Sequence, residues 1–372
     1  MVKCQVVMDA MECIAPRALA EDWDNPGLLT GSPAQDVHRI LVCLDVSEAI
    51  VDRAIAEGYD MIVSHHPLIF QSLKQVRTDL PLGGRLQKLL AHGIAVFAAH
   101  TNLDIAAGGV NDVLAARIGL EAAQPFVVTK TGELVKLAVY VPAAYAGQVR
   151  TAISRAGAGF IGNYSCCTFN VAGQGTFLPQ AGTHPFLGET GTLTTVDEVR
   201  IETILPAQIQ SRVLRAMLKA HPYEEPAYDL YPLKNPGEPA GLGRIGKLPQ
   251  AMTAAAFARQ VCSGLQAAYV RLIRAGDRPV HKVAICSGSG AEFIAKAAFQ
   301  GADAYVTGDV KYHDAQQAVD LGMHVIDAGH FSTEFPVVAE LADRLRAVLQ
   351  KARGGAEVTA DTMARDFFEV VS

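Results

Sequence analysis

Asp60-Met61-Ile62-Val63-Ser64-His65-His66-Pro67 is the stretch that decides the fold. Its apolar run reads as a short buried strand, and Pro67, with no N–H to give to a ladder, ends it. Neighbouring side chains of an extended segment point to opposite sides. His65 and His66 are therefore badly placed to share one ion, but each could hold one of two neighbouring ions. The competing reading is one buried, hydrogen-bonded histidine beside an exposed one. A His-His pair alone favours that reading, so the surrounding chain has to decide.

Upstream, Arg39-Ile40-Leu41-Val42-Cys43-Leu44-Asp45-Val46 reads as a buried strand and Ser47 as the N-cap of a helix over 48–57, closed by Gly58. Downstream, Leu86, Leu89 and Leu90 mark a helix that stops at His92-Gly93. The strand Ile94-Ala95-Val96-Phe97-Ala98-Ala99 then leads into His100-Thr101-Asn102-Leu103-Asp104. Strands alternating with helices predict a parallel sheet with right-handed crossovers, and such sheets bind ligands beyond the carboxyl ends of their strands. His65, His66, His100 and Asp104 all fall there. Residues 5–20 read as an amphipathic helix stopping near Pro16. Asp24-Asn25-Pro26-Gly27 is turn chemistry that lets Trp23, the single tryptophan, anchor a loop onto the core; a place on the rim of a site is its second reading.

The C-terminal third has the same order of elements. Val283-Ala284-Ile285-Cys286 enters the small-residue turn Ser287-Gly288-Ser289-Gly290, a weak candidate for holding an anion at a helix N-terminus. Ala304-Tyr305-Val306 leads to Thr307-Gly308-Asp309, and His324-Val325-Ile326 to Asp327-Ala328-Gly329-His330. Gly58 precedes His66 by 8 residues and Gly301 precedes Asp309 by 8, so the two regions read as a pseudo-repeat. His330 and Glu334, spaced i,i+4, can converge. The tail from Gly354 to Ser372 is expected to end in a small apolar segment docked on the body.

Between the repeats the texture changes. A strand over 134–141, a helix near 145–156, a Gly-rich pair of strands around 165–177, a strand over 199–204, a helix over 208–220 and a strand over 228–233 give the split βαββαβ order of a ferredoxin-like module. Residues 176–198 read as loop, Gly241-Leu242-Gly243-Arg244-Ile245-Gly246 as a flexible exit, and His221-Pro222-Tyr223-Glu224-Glu225-Pro226 as a rigid turn more than a metal site. The expected architecture is α/β. Two βαβαβ lobes, 1–126 and 247–372, form a metal-binding cleft, with an inserted α+β domain at 127–246.

A length of 372 residues, half of them hydrophobic, supports several cores. The net charge of -6, with no basic run, argues against a nucleic-acid footprint. The start lacks a signal-peptide pattern, no segment is long enough to span a bilayer, and seven scattered cysteines without a CxxC pair suit a reducing compartment. A cytoplasmic protein is expected.

His65, His66, Asp104, His330 and Glu334 offer three imidazoles and two carboxylates. Because adjacent histidines cannot easily share one ion, two metals bridged by a carboxylate is the natural solution, and two-metal sites activate water while stabilising a leaving oxygen. Nitrogen and oxygen donors fit two divalent cations drawn from Zn, Fe, Mn, Co or Ni.

Taken with Trp23-Asp24-Asn25-Pro26-Gly27-Leu28, Thr307-Gly308-Asp309-Val310-Lys311-Tyr312-His313 and Gly329-His330-Phe331-Ser332-Thr333-Glu334, these motifs resemble the Nif-three-like family. Its bacterial members carry the label GTP cyclohydrolase 1 type 2 homologue. The middle module resembles the PII- or CutA-like insert of its longer members. The resemblance implies a dinuclear site on the five residues above and a homohexameric ring. It also places His100 and His313 near the metals, where they and Asp309 are candidates for moving protons, with Lys311 or the 287–290 turn holding phosphate. Two functions stay open: a metal-dependent hydrolase of a nucleotide or related small molecule, and a non-catalytic metal-handling or regulatory ring whose insert senses a ligand or partner.

Overall fold

The computed structural model describes residues 1–352 and 355–371. The chain divides into two compact units, one built from residues 1–129 together with those from 240 onward, the other from 130–239.

In the first unit, a five-stranded sheet has the order Glu357–Ala360, Arg39–Cys43, Met61–Ser64, Ala95–Ala98, Gly27–Thr30. Its first four strands are parallel and the last is antiparallel. Strands buried on both faces must read as unbroken apolar runs, and these do. Helices Glu48–Ala56, capped by the Ser47 hydroxyl, and Pro81–Ala91, begun by its proline, cover one face around Val51, Ile62, Leu89 and Val96. Cys4–Ile14 and Val337–Lys351 cover the other around Val7, Val63, Leu341 and Leu345.

The second sheet of this unit has six strands, in the order Arg271–Ile273, His324–Asp327, Ala304–Gly308, Val280–Ser289, Pro239–Met252, Glu121–Thr131. Here Val280–Ser289, Ala304–Gly308 and His324–Asp327 are mutually parallel neighbours in chain order, as Arg39–Cys43, Met61–Ser64 and Ala95–Ala98 are in the first sheet. Their carboxyl ends deliver Ser287, Asp309 and His330.

Four expectations need correction. Gly241 to Gly246 is no flexible exit but the buried start of a 14-residue strand. Its glycines are there for close approach: a Cβ on Gly241 would strike the Val127 carbonyl and one on Gly243, at φ +64°, the Ile285 carbonyl. Residues 176–198 are not all loop, since the flanking strands reach in as far as Phe177 and back to Thr194. The Gly-rich region holds one strand, Phe169–Phe177, preceded only by an isolated bridge from Ile161 to Tyr164. In the tail, Glu357–Ala360 extends the first sheet by pairing with Arg39–Cys43, and the apolar end does not dock, with Phe367 83% and Val371 89% exposed. Gly354 and Ser372 lie outside the described residues.

The 130–239 unit is a four-stranded antiparallel sheet in the order Tyr228–Leu233, Leu134–Pro142, Thr194–Pro206, Phe169–Phe177. Helices Ala146–Arg155 and Gln210–Ala220 pack Val149, Ile153, Val213 and Met217 against Leu137, Val139 and Ile201. Both ring nitrogens of His221 are engaged, Nε2 with the Tyr140 carbonyl at 2.9 Å and Nδ1 accepting from the Tyr223 N–H at 3.1 Å. The turn reading holds there. Among the described residues no helix is long and apolar enough to cross a membrane.

Candidate metal centre

The strand Met61–Ser64 passes into a bend at His65 and His66, whose consecutive N–H groups both bond the neighbouring segment, at the carbonyls of Cys43 and Leu44. Consecutive N–H groups on one side break the alternation of a strand, so the opposite-side placement expected from sequence does not hold. The two rings lie 5.0 Å apart, and His65, His66 and His100 bring ligand atoms within 4.8 Å of one another. A five-residue helical turn, Thr101–Ile105, carries Asp104, and another, His330–Glu334, carries the i,i+4 pair.

Glu334 is the hinge of the arrangement. Its Oε2 lies 2.9 Å from His66 Nε2 and 3.1 Å from His330 Nε2, while its Oε1 is 3.8 Å from His65 Nε2. His65 Nε2 is also 3.8 Å from Asp104 Oδ1. Three groups each gather one ligand atom per residue within 4.8 Å: His65, Asp104 and Glu334; His66, His330 and Glu334; His65, His66 and His100. All five ligands expected from sequence meet, and His100 joins them.

Each histidine is aimed by its other nitrogen. Nδ1 of His65 faces the Ala99 carbonyl at 2.9 Å. Those of His66, His330 and His100 face Asp45, Asp309 and Asp24, each at 2.8 Å. These oxygens only accept, so each Nδ1 carries a proton and turns Nε2 inward, the arrangement that orients metal-binding imidazoles. Ser287 donates to Asp104 Oδ1 at 3.1 Å. Bare glycines make the space: a Cβ on Gly288 would overlap the Glu334 carboxylate, and one on Gly308 would press on the His330 N–H.

The electrostatics favour positive charge. Burial works against a charged His66, but hydrogen bonds and charge from Asp45 and Glu334 push it up to about 10. Glu334 and Asp309 lift His330 to about 9. Burial opposes charge on His65 too, yet Asp104 and Glu334 raise it. The three histidines hold Glu334 well below the usual carboxylate range despite its burial, whereas burial raises Asp104.

A divalent cation fits this donor set. His65 Nε2 is buried with no hydrogen-bond partner among the described residues, a cost of roughly 1–3 kcal/mol unless something satisfies it. Its 3.8 Å separations from two carboxylates are too long for hydrogen bonds. They are close to the roughly 3.4 Å between two tetrahedral ligands held about 2.1 Å from one ion. These histidine and glutamate groups could hold a metal ion.

The other expectations fare differently. Asp309, at φ +56°, reaches His330 and so acts on the centre through it. His313 is exposed beside Tyr312 and belongs to none of the three groups. Lys311 is exposed at the start of helix Tyr312–Asp320. The 287–290 turn cannot cradle an anion as proposed from its sequence. The N–H groups of Ser287, Gly288 and Gly290 already donate to Asn111, Thr333 and Thr307, and the helix after it, Ile294–Phe299, has only six residues. Trp23 does not anchor its loop in the core but is 60% exposed, edge-on to Phe70 at 5.9 Å and to His100 at 6.1 Å. The loop is held by its polar members, through Asp24 to His100 and Thr101 and through Asn25 Nδ2 to the Ile69 carbonyl. Sequence reasoning missed the roles of Asp45, Asp24 and Ser287. A polar residue at the carboxyl end of a buried strand, the signal that found His65, was available for Asp45 and Ser287.

A family model described as Duf34/NIF3 (NGG1p interacting factor 3) matches residues 2–366. The chain belongs to the Duf34/NIF3 family. Curated members of Duf34/NIF3 close to it carry the name GTP cyclohydrolase 1 type 2 homolog. The protein of Halalkalibacterium halodurans is 43% identical over 367 residues, 99% of this chain and 98% of that protein. The Bacillus subtilis protein is 46% identical over 331 residues, 89% of each. The crystal structure of a Bacillus cereus protein related to NIF3 superposes with a TM-score of 0.92 at 42% identity, covering 100% of this chain and 99% of the other. This Duf34/NIF3 chain therefore matches these relatives over 89–100% of its length, both units included.

Proposed function

We propose that this Duf34/NIF3 protein is a metal-dependent hydrolase of a nucleotide or related small molecule, working on two divalent cations that share Glu334. The observation that carries the proposal is the split carboxylate: Oε1 faces His65, which Asp104 also approaches, and Oε2 faces His66 and His330. When bound, such ions supply Lewis acidity that polarises a substrate oxygen and lowers the pKa of water. His100, oriented by Asp24 through Nδ1, is the group placed to hold or move a proton at its other ring nitrogen. Asp45 and Asp309 fix His66 and His330 in their working orientation. Trp23 and Phe70, exposed beside His100, offer flat apolar surface to a planar ring, which suits a nucleobase and agrees with the name its relatives carry.

The reading extends to architecture. The two sheets are taken as repeated lobes forming the cleft, and the β-α-β-β-α-β order of the 130–239 unit as a ferredoxin-like insert. The working form is taken as a homohexamer near six times the 39.5 kDa chain, and seven unpaired cysteines support residence in the cytoplasm. A second reading, a non-catalytic metal-handling or regulatory ring, is favoured by a pocket in the insert described below.

The test is metal content and turnover together. Purified chain is expected to hold two metals, His65→Ala to lose one and Glu334→Ala to lose both; GTP, other nucleotides and phosphoesters are then screened with each. Turnover that survives metal loss sinks the hydrolase reading. A fully metallated chain with no turnover across the screen favours the regulatory one, and one metal per wild-type chain refutes the shared carboxylate.

A further inference from the structure

The surface of the 130–239 unit carries an open pocket of about 550 Å³ whose aromatic walls are Tyr140, Phe177, Phe186 and Tyr223, a size suited to a small molecule. Tyr223 meets Phe177 edge-on with centroids 5.8 Å apart and Phe186 at 6.4 Å; Phe186 in turn leans on Tyr145 at 5.4 Å. The charged residues of its lining are Glu198, Glu224 and Glu225, and no lysine, arginine or histidine lines it among the described residues.

The acids are placed. Tyr223 donates its hydroxyl to Glu198 Oε1 at 2.9 Å, and burial together with that carboxylate pushes its pKa up, so it stays a donor. Gly175 gives Glu198 its room, since a Cβ there would overlap the carboxylate. Glu224 accepts from the His184 N–H at 3.0 Å and so ties down the loop that carries Phe186.

We propose that this pocket binds an organic cation, a quaternary or protonated amine whose charge lies against the aromatic faces and is neutralised by Glu198. Ring faces attract cations, more so when water is excluded. A phosphate-bearing ligand would meet three carboxylates and no basic group. In the adjoining hollow of about 190 Å³ the Arg200 guanidinium, a cross-strand neighbour of Tyr140, sits 5.9 Å from its ring centre while pairing with Glu202 at 2.8 Å. The site stands whether or not the metal centre is catalytic.

The test is calorimetric titration of the full-length protein with phenyltrimethylammonium, and with choline against its neutral isostere 3,3-dimethylbutan-1-ol. Saturable binding of both cations is expected with dissociation constants below about 1 mM, and at least tenfold weaker binding of the alcohol. Glu198→Gln, which keeps the Tyr223 hydrogen bond, and Phe186→Ala, at an exposed ring, should each weaken the cations about tenfold without changing metal content. The proposal is overturned if no saturable heat appears up to about 10 mM, if the alcohol binds as well as choline, or if both variants bind like wild type. It is also overturned if stripping the metals abolishes binding, which would assign the ligand to the metal centre.

Discussion

Asp45 sits at the mouth of a buried strand with its carboxylate 2.8 Å from His66 Nδ1, touching no other part of the centre that the structure shows. Removing the charge but not the shape, in Asp45→Asn, is expected to weaken metal affinity roughly 10–100-fold with little change in thermal unfolding. Competition with a chelator measures it, and an unchanged affinity refutes the orienting role. Asp24 makes a prediction of a different kind. Its side chain has no exposed surface; burial disfavours its charge, but hydrogen bonds from His100 and Thr101 outweigh burial and lower it from 3.8 to about 2. A carboxylate depressed in the folded state stabilises above its unfolded pKa, and that stability is lost as pH falls through the folded one. About 2 kcal/mol should be present above roughly pH 4 and gone near pH 2. The stability gap between wild type and Asp24→Asn, measured by denaturant at several pH values, should close over that window; a gap constant with pH would remove the argument.

Elements differ in how openly the chain announces them. The strands ending at Cys43, Ser64 and Ala98 were legible because both faces are buried, so apolar runs and glycine stops describe them fully. The strand Pro239–Met252 was not, because its glycines read as flexibility when their cause is contact. Val127 and Ile285 carbonyls lie where Cβ atoms would be, and no local pattern encodes a neighbour 114 or 42 residues away. Gly243→Ala is therefore expected to cost at least ~2 kcal/mol, from a strained positive φ together with the overlap. Chemical denaturation checks it; a near-neutral alanine would restore the flexible-exit reading. The edge strand Glu357–Ala360 was hidden for a related reason, being four residues long with Val358 alone fully buried, a pattern too short to stand out from coil.

At the scale of the molecule, the unit that carries the candidate metal centre is sewn across a wide span of sequence. Arg244, 3% exposed, pairs with Asp112 through Nε and Nη2 and donates to the carbonyls of Gly241, Gly243, Ile105 and Ala106. Asn111, a neighbour of that aspartate, bonds both the Asp104 carbonyl and the Ser287 N–H. Arg244→Ala takes the buried donor away from the carbonyls of Gly241, Gly243, Ile105 and Ala106 and from the partly exposed Asp112. It is expected to cost about 1–3 kcal/mol, with lowered metal content as a secondary effect. Thermal unfolding and metal analysis of the same sample test it. Loss of metal at full stability would mean the pair acts on the centre and not on the fold.

By itself the sequence determined the α/β class, the strands that end at Cys43, Ser64 and Ala98 and the five residues that converge, because strand periodicity and the placing of ligands beyond carboxyl ends are local rules. What the tertiary structure alone decided was direction. That Glu334 turns one oxygen to His65 and the other to His66 and His330, that Asp45 and Asp309 aim their histidines, that Trp23 faces outward and that the N–H groups of Ser287, Gly288 and Gly290 are already spent depends on contacts between segments up to 268 residues apart. Side-chain orientation is set by what packs against it, and a one-dimensional pattern records which residues are present but not which neighbour each will meet.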